Sequence, residues 1–190
     1  MTIKINYFNA FKNKKISHIV IFVNEKFNTN NIKKFISSSE LLYINDILKT
    51  SDVKKNLQIF EINSKRKIVL VSIKNNIKTS DVESLGAEFY GRINQGKDSQ
   101  YIIAADSITS KINNFLGYFL HGVKLKSYEF KKYKSKKEKR LITLSVTGVK
   151  NKPSISTQLR FKALEEGTFY ARDLVSEPGN ILHPDEYARR

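Results

Sequence analysis

The chain has 190 residues, 40% of them hydrophobic, with 12 Phe and 9 Tyr. That is enough for one substantial domain with an appendage. It has no Cys, which excludes a disulfide framework and a thiolate metal site. The net charge is +16, carried overwhelmingly by Lys, since only 7 residues are Arg. A basic balance admits nucleic acid or an anionic surface as partner. A Lys-rich, Arg-poor excess is also what coding rich in A and T produces. No leader pattern opens the chain, and no run reaches the roughly 20 apolar residues of a membrane span. A cytoplasmic protein with no membrane partner is expected.

Ile3–Phe8 alternates apolar and polar, as a half-buried strand does. His18–Val23 is a short β-branched run that predicts a strand covered on both faces. Leu41, Ile44, Ile47 and Leu48 recur at helical spacing within 39–48. The runs 58–62 and 67–73 are apolar and flank the polar "NSKRK", which predicts a hairpin. Thr79 or Ser80 reads as a helix cap, with Glu83 completing a capping box to Ser80. That helix should carry Leu85, Phe89 and Ile93 and end by Gly96. Gly86, Gly91 and Gly96 are spaced by five and form no phosphate loop.

A buried strand is predicted over 101–105. After Ser110, an amphipathic helix carries Ile112, Phe115, Leu116, Phe119, Leu120 and Val123. The basic run "KKYKSKKEKR" leads to a strand over 141–146. Beyond Pro153 a long helix carries Ile155, Leu159, Ala163, Leu164, Tyr170, Leu174 and Val175, and stops before Pro178-Gly179. Strands alternating with helices predict an α/β domain, a three-layer sandwich with a mixed central sheet flanked by helices. It should be complete by about residue 150, with a linker helix over 151–177. The stretch "NILHPDEYARR" opens a further helix, with Pro184 at the first position and Asp185 and Glu186 in the first turn.

Catalytic constellations are scarce. His18, His121 and His183 fit no metal-binding spacing, and each reads as structural. No Ser stands in a Gly-x-Ser-x-Gly elbow, and no Gly-rich loop follows a strand. No catalytic or metal residue is assigned. Asp106-Ser107 follows a strand end, where α/β folds bind ligands, although a plain turn is the favoured reading. Lys131, Lys132, Lys134, Lys136, Lys137, Lys139 and Arg140, interleaved with Phe130 and Tyr133, are the candidate anion or nucleic-acid contacts. A solvated loop is the competing reading of the same residues.

Two stretches carry a family likeness. In "FYARDLVSEPGNILHPDEYA", Ala171, Arg172, Asp173, Leu174, Val175, Pro178, Asn180, Leu182 and Pro184 match the interdomain junction of the leucyl (cytosol) aminopeptidases. Ser176 and His183 depart from it, where the family has Asn and Thr. In "FLHGVKLKSYEFKKYKSKKEK", Gly122, Leu125, Ser127, Tyr128, Phe130, Tyr133 and Lys134 resemble another of its motifs. The resemblance implies a macro-domain-like N-terminal domain over 1–150, the linker helix over 151–177, and the start of a catalytic domain over 178–190. Residues 178–190 should then pack poorly or lie extended. It further implies a cytoplasmic homohexameric parent that releases N-terminal residues, preferably leucine, from peptides. Two divalent ions, manganese or zinc, would serve the catalytic domain that partners this one. The family's metal-ligand run Asn-Thr-Asp-Ala-Glu-Gly-Arg occurs nowhere in the sequence, so no ligand is carried over and the 190 residues alone should be inactive. A basic DNA-binding module of the same family is the alternative function. An ADP-ribose site, borrowed from macro domains, is a third.

Overall fold

The computed structural model describes residues 3–9, 18–50, 56–96, 99–135 and 141–189. The strands are β1 (Ile3–Phe8), β2 (His18–Asn24), β3 (Leu57–Asn63), β4 (Arg66–Ile73), β5 (Gln100–Ala104) and β6 (Ile142–Thr147). The helices are α1 (Ser38–Thr50), α2 (Thr79–Ile93), α3 (Phe115–Lys126), α4 (Ile155–Ser176) and α5 (Pro184–Arg189). One six-stranded sheet runs in the order β1-β6-β5-β2-β4-β3. All its pairings are parallel except β3 with β4. The sheet is therefore mixed and flanked by helices, as the alternating pattern predicts.

The period-2 geometry of a strand explains the layers. Along β2, Val20 and Phe22 enter the core beneath α2 and α3, while Ile19, Ile21 and Val23 enter the one beneath α1. Along β4, Val69 and Val71 go to the first side and Ile68 and Leu70 to the second. Six successive β2 residues are buried, which is why the strand reads as a continuous apolar run. The hairpin is tighter than its polar run suggests. Only Ser64 and Lys65 separate the strands, and Asn63 Oδ1 accepts from the Lys65 amide at 2.9 Å. Arg66, directly after the turn, is buried and pairs with Glu40 of α1. Burial alone would push the Glu40 carboxyl up; Arg66 and the Ser37 donors outweigh it and hold it below the usual carboxylate range.

Two helix starts differ from their sequence signals. α2 is capped by neither Thr79 nor Ser80 through Glu83. Lys78 is the extended N-cap residue, and its amide donates to Asp81 Oδ2 at 3.1 Å. Only this half of a box can form, because a lysine side chain has no acceptor. α3 begins at Phe115, later than Ser110 implies, because Asn114 takes a left-handed φ of 58°. Asn tolerates that region better than most residues.

α2 and α3 cross at two glycines. A Cβ on Gly86 would lie 2.0 Å from the Phe119 carbonyl oxygen, and one on Gly122 would lie 1.9 Å from that of Glu83. Backbone touches backbone, so no side chain can yield. Gly91, on the same helix as Gly86, faces open space. Gly122→Ala should therefore destabilise the fold by about 1–3 kcal/mol through overpacking. Gly91→Ala should stabilise it by up to about 1 kcal/mol through helix propensity. Urea midpoints of the two variants should move in opposite directions.

Candidate functional site

Open α/β sheets bind ligands beyond the carboxyl ends of their strands, where the strand order reverses. Here that place lies between β2 and β5, since β4 extends the sheet to one side of β2 and β5 to the other. The chain fills it itself. Ser107 Oγ accepts from the Phe22 amide at 2.8 Å and donates to the Ala104 carbonyl at 2.6 Å. Asp106 Oδ1 accepts from the amides of Val149 and Lys150, at 3.0 and 2.9 Å. Those amides follow Gly148, whose φ of +127° turns the chain back onto the carboxylate. Asn151 Nδ2 donates to the carbonyls of Ala105 and Ile108. Asp106 and Ser107 thus act as turn residues, and the amides a phosphate would use at this mouth already hold a carboxylate.

The residues of the two family-like stretches meet instead at the junction of α3 and α4. Gly117 of α3 leaves room for the Phe161 ring, whose edge would lie 2.6 Å from a Cβ there. Phe161 also stacks near Tyr118 and His121, with ring centroids 5.2 and 5.0 Å away. One turn on, Glu165 is buried and its Oε1 lies 3.2 Å from His121 Nδ1. Lys124, whose ammonium donates to the Ile3 carbonyl at 2.9 Å, adds a positive charge toward Glu165. The second half of α4 is held by the segment that follows α3. Arg172 donates to the Leu125 carbonyl at 2.7 Å and lies over the Tyr128 ring. The Tyr128 hydroxyl donates to Asp173 Oδ1 at 2.8 Å, and its ring sits 5.4 Å from Phe169. Tyr133 and Lys132 both engage Glu177, whose side chain is only 2% exposed.

The basic run is described only in part. Lys131 pairs with Glu129 and Lys132 with Glu177, while Lys134 is exposed. Lys136, Lys137, Lys139 and Arg140 lie outside the described residues. The other two histidines sit apart: His18 Nδ1 accepts from the Lys67 amide at 3.1 Å, and His183 is exposed before α5. Among the described residues, no three His, Asp or Glu side chains come together as a metal ligand set. They therefore do not fit the two ions implied by the resemblance. No described helix is long and apolar enough to cross a membrane. Residues 178–189 are not extended: they form a turn and α5, which has no buried residue.

The junction was half visible in the sequence. Tyr128, Arg172 and Asp173 stand in the quoted motifs, but nothing in the spacing pairs them across 45 positions. Glu165 was missed, because an acid in a long helix reads as solvated.

Loss of the clasp should be felt locally. Arg172→Ala should speed amide exchange in the second half of α4 while leaving β2 and β4 protected, as hydrogen-exchange mass spectrometry would read. Tyr7 supplies a pH test. Burial first, and the nearby Glu165 charge second, raise its hydroxyl from 10.0 to about 12. Its neutral form is the one favoured by folding, so stability is intact below pH 10 and falls as pH rises toward 12. Tyr7→Phe should remove roughly 2 kcal/mol of that alkaline loss, measured by urea unfolding across the window.

No family model matches the chain. A probable cytosol aminopeptidase of Nitrobacter winogradskyi is 27% identical over 121 residues, 60% of this chain and 24% of that protein. One from Methylorubrum populi is 32% identical over 126 residues, 65% of this chain and 25% of that protein. The chain thus spans about a quarter of the length of these curated relatives. A mutant of tomato leucine aminopeptidase superposes with a TM-score of 0.76 at 19% identity, over 98% of this chain and 41% of that one. The bottromycin maturation enzyme BotP in complex with Mn superposes with a TM-score of 0.63 at 14% identity, over 92% of this chain and 35% of that one. Over some 60% of its length the chain is thus similar in sequence to part of the curated cytosol aminopeptidases, and over 98% of it shares a fold with part of a leucine aminopeptidase.

Proposed function

We propose that this chain is the non-catalytic α/β portion and linker helix of a cytosol-type aminopeptidase. Residues 1–150 would form the domain, 151–177 the linker, and 178–190 the first turn of a catalytic domain. The observation that carries the reading is the α3–α4 junction. There the two motif stretches of the family, distant in sequence, converge through paired contacts, Tyr128 with Asp173, Arg172 with the Leu125 carbonyl and Tyr133 with Glu177. A motif shared with an enzyme family but spent on seating a helix speaks for a positioning role.

The parent enzyme, on this reading, releases N-terminal residues from peptides in the cytoplasm, with leucine preferred, as a homohexamer. Manganese or zinc ions would polarise the scissile carbonyl and supply a hydroxide at neutral pH. The described residues offer no ligands for them, so they would belong to the partner domain. What this chain contributes is a rigid mount. The Phe161 anchor and the Arg172–Tyr128–Asp173 clasp fix the direction in which α4 leaves the sheet. A DNA-binding role rests on the net charge of +16 and the basic run over 131–140.

The purified 190-residue protein, supplied with Mn²⁺ or Zn²⁺, should show no turnover of a leucyl amide above a blank. Metal-dependent hydrolysis that survives removal of host peptidases would refute the reading. Fluorescence anisotropy with duplex DNA at low ionic strength separates the alternative, which requires salt-sensitive binding.

A further inference from the structure

The crossing of α2 and α3 leaves a cleft of about 430 Å³ on its solvent side. At the crossing itself the Gly122 backbone rests on that of Glu83, so no side chain fills the angle between the helices. Glu83 and Ala87 of α2 line one wall, Leu125 and Lys126 of α3 the other, and Tyr128 with Arg172 of α4 close it. None of these side chains belongs to a fully buried residue, so the cleft is open to solvent. Its volume lies in the range of small-molecule sites, about 300–1,000 Å³.

Arg172 is half-buried and held in place. One of its N–H groups donates to the Leu125 carbonyl at 2.7 Å, and the guanidinium lies over the Tyr128 ring, 5.5 Å from its centroid. The adjacent carboxylate, Asp173, already accepts from the Tyr128 hydroxyl. Among the described residues Arg172 forms no ion pair, and neither does Lys126 or Glu83. A charge that has lost part of its hydration is costly without a partner. The other donors of the Arg172 fork are pre-set to grip a carboxylate.

Both signs of charge stand unpaired in one cleft, and that selects the ligand. Phosphate would meet the Glu83 carboxylate, and a simple cation would meet Arg172 and Lys126. A polypeptide segment brings the two signs only on separate side chains. A molecule with carboxylate and ammonium on one carbon answers both. Ala87, Leu125 and the Tyr128 ring offer apolar surface for what else it carries.

We propose that this cleft binds a free α-amino acid with an apolar side chain, its carboxylate on Arg172 and Lys126 and its ammonium on Glu83. The site stands on its lining and not on the aminopeptidase reading; on that reading the ligand is the class of product the parent enzyme releases. An open cleft makes the affinity millimolar. Arg172 also ties α4 to the end of α3, so an occupied cleft steadies the second half of α4.

Amide NMR of the 190-residue protein, titrated with leucine, tests this directly. Saturable shifts should centre on Ala87, Gly122 and Lys126. Leucinamide, which lacks the carboxylate, and inorganic phosphate should leave those amides in place, and isocaproate, which lacks the ammonium, should bind several-fold more weakly. Glu83→Gln should weaken leucine several-fold and strengthen isocaproate, whereas Lys126→Gln should weaken both. Leucine should also slow amide exchange in the second half of α4. Circular dichroism confirms that each variant is folded. Absence of shifts at tens of millimolar leucine overturns the proposal. So does binding of leucinamide or phosphate as strong as that of leucine, or indifference to Glu83→Gln.

Discussion

On the face of the sheet that carries α2 and α3, the outer layers depend on one close approach, the crossing of these helices at Gly86 and Gly122. Two helix backbones touch there without an intervening side chain. That contact sets how deeply α3 sinks toward β2, and Phe22 of that strand meets Phe115 and Phe119 edge-on, with centroids 5.6 and 5.2 Å away. It equally fixes the outer surface of α3, where Gly117 leaves the socket that Phe161 fills. α4 is thus placed by a sequence of contacts that starts two layers below it.

The polar groups of the junction follow from the same seating. Glu165 is carried into a nearly dry position because Phe161, one turn earlier, must enter the socket. A buried carboxylate needs partners, and His121 with the Lys124 ammonium supplies them from the helix beneath. Burial lowers the Lys124 ammonium from its ordinary range, and the Glu165 charge works against that fall. Farther along, the clasp is more exposed and more polar, so α4 is anchored firmly at its first half and tied at its second.

The sheet, its layers and the order of elements were legible in the sequence, because burial on one or both faces writes a period directly into the residues. β2 and the apolar positions of α2 are the clear cases. The helix starts were less so. The cap of α2 rests on Asp81 reaching back to a Lys, and the start of α3 on a left-handed Asn, neither of which hydrophobic spacing encodes. The apolar positions of α4 were read correctly as helical, but not as outward-facing. A periodic pattern reports that a face is covered by something and is silent on what. The junction contacts stayed hidden because they join residues some 45 positions apart through side-chain geometry.

The turn at Gly148 has a consequence of another kind. Consecutive amides that converge on one point after a left-handed residue form a nest for an anion. In this fold the nest formed by Val149 and Lys150 carries its own permanent guest, the carboxylate of Asp106. The mouth of the sheet is therefore latent rather than lost. Removing one side chain would bare two aligned donors beyond the carboxyl ends of the parallel strands. The fold stands a single substitution away from the rudiment of an anion receptor.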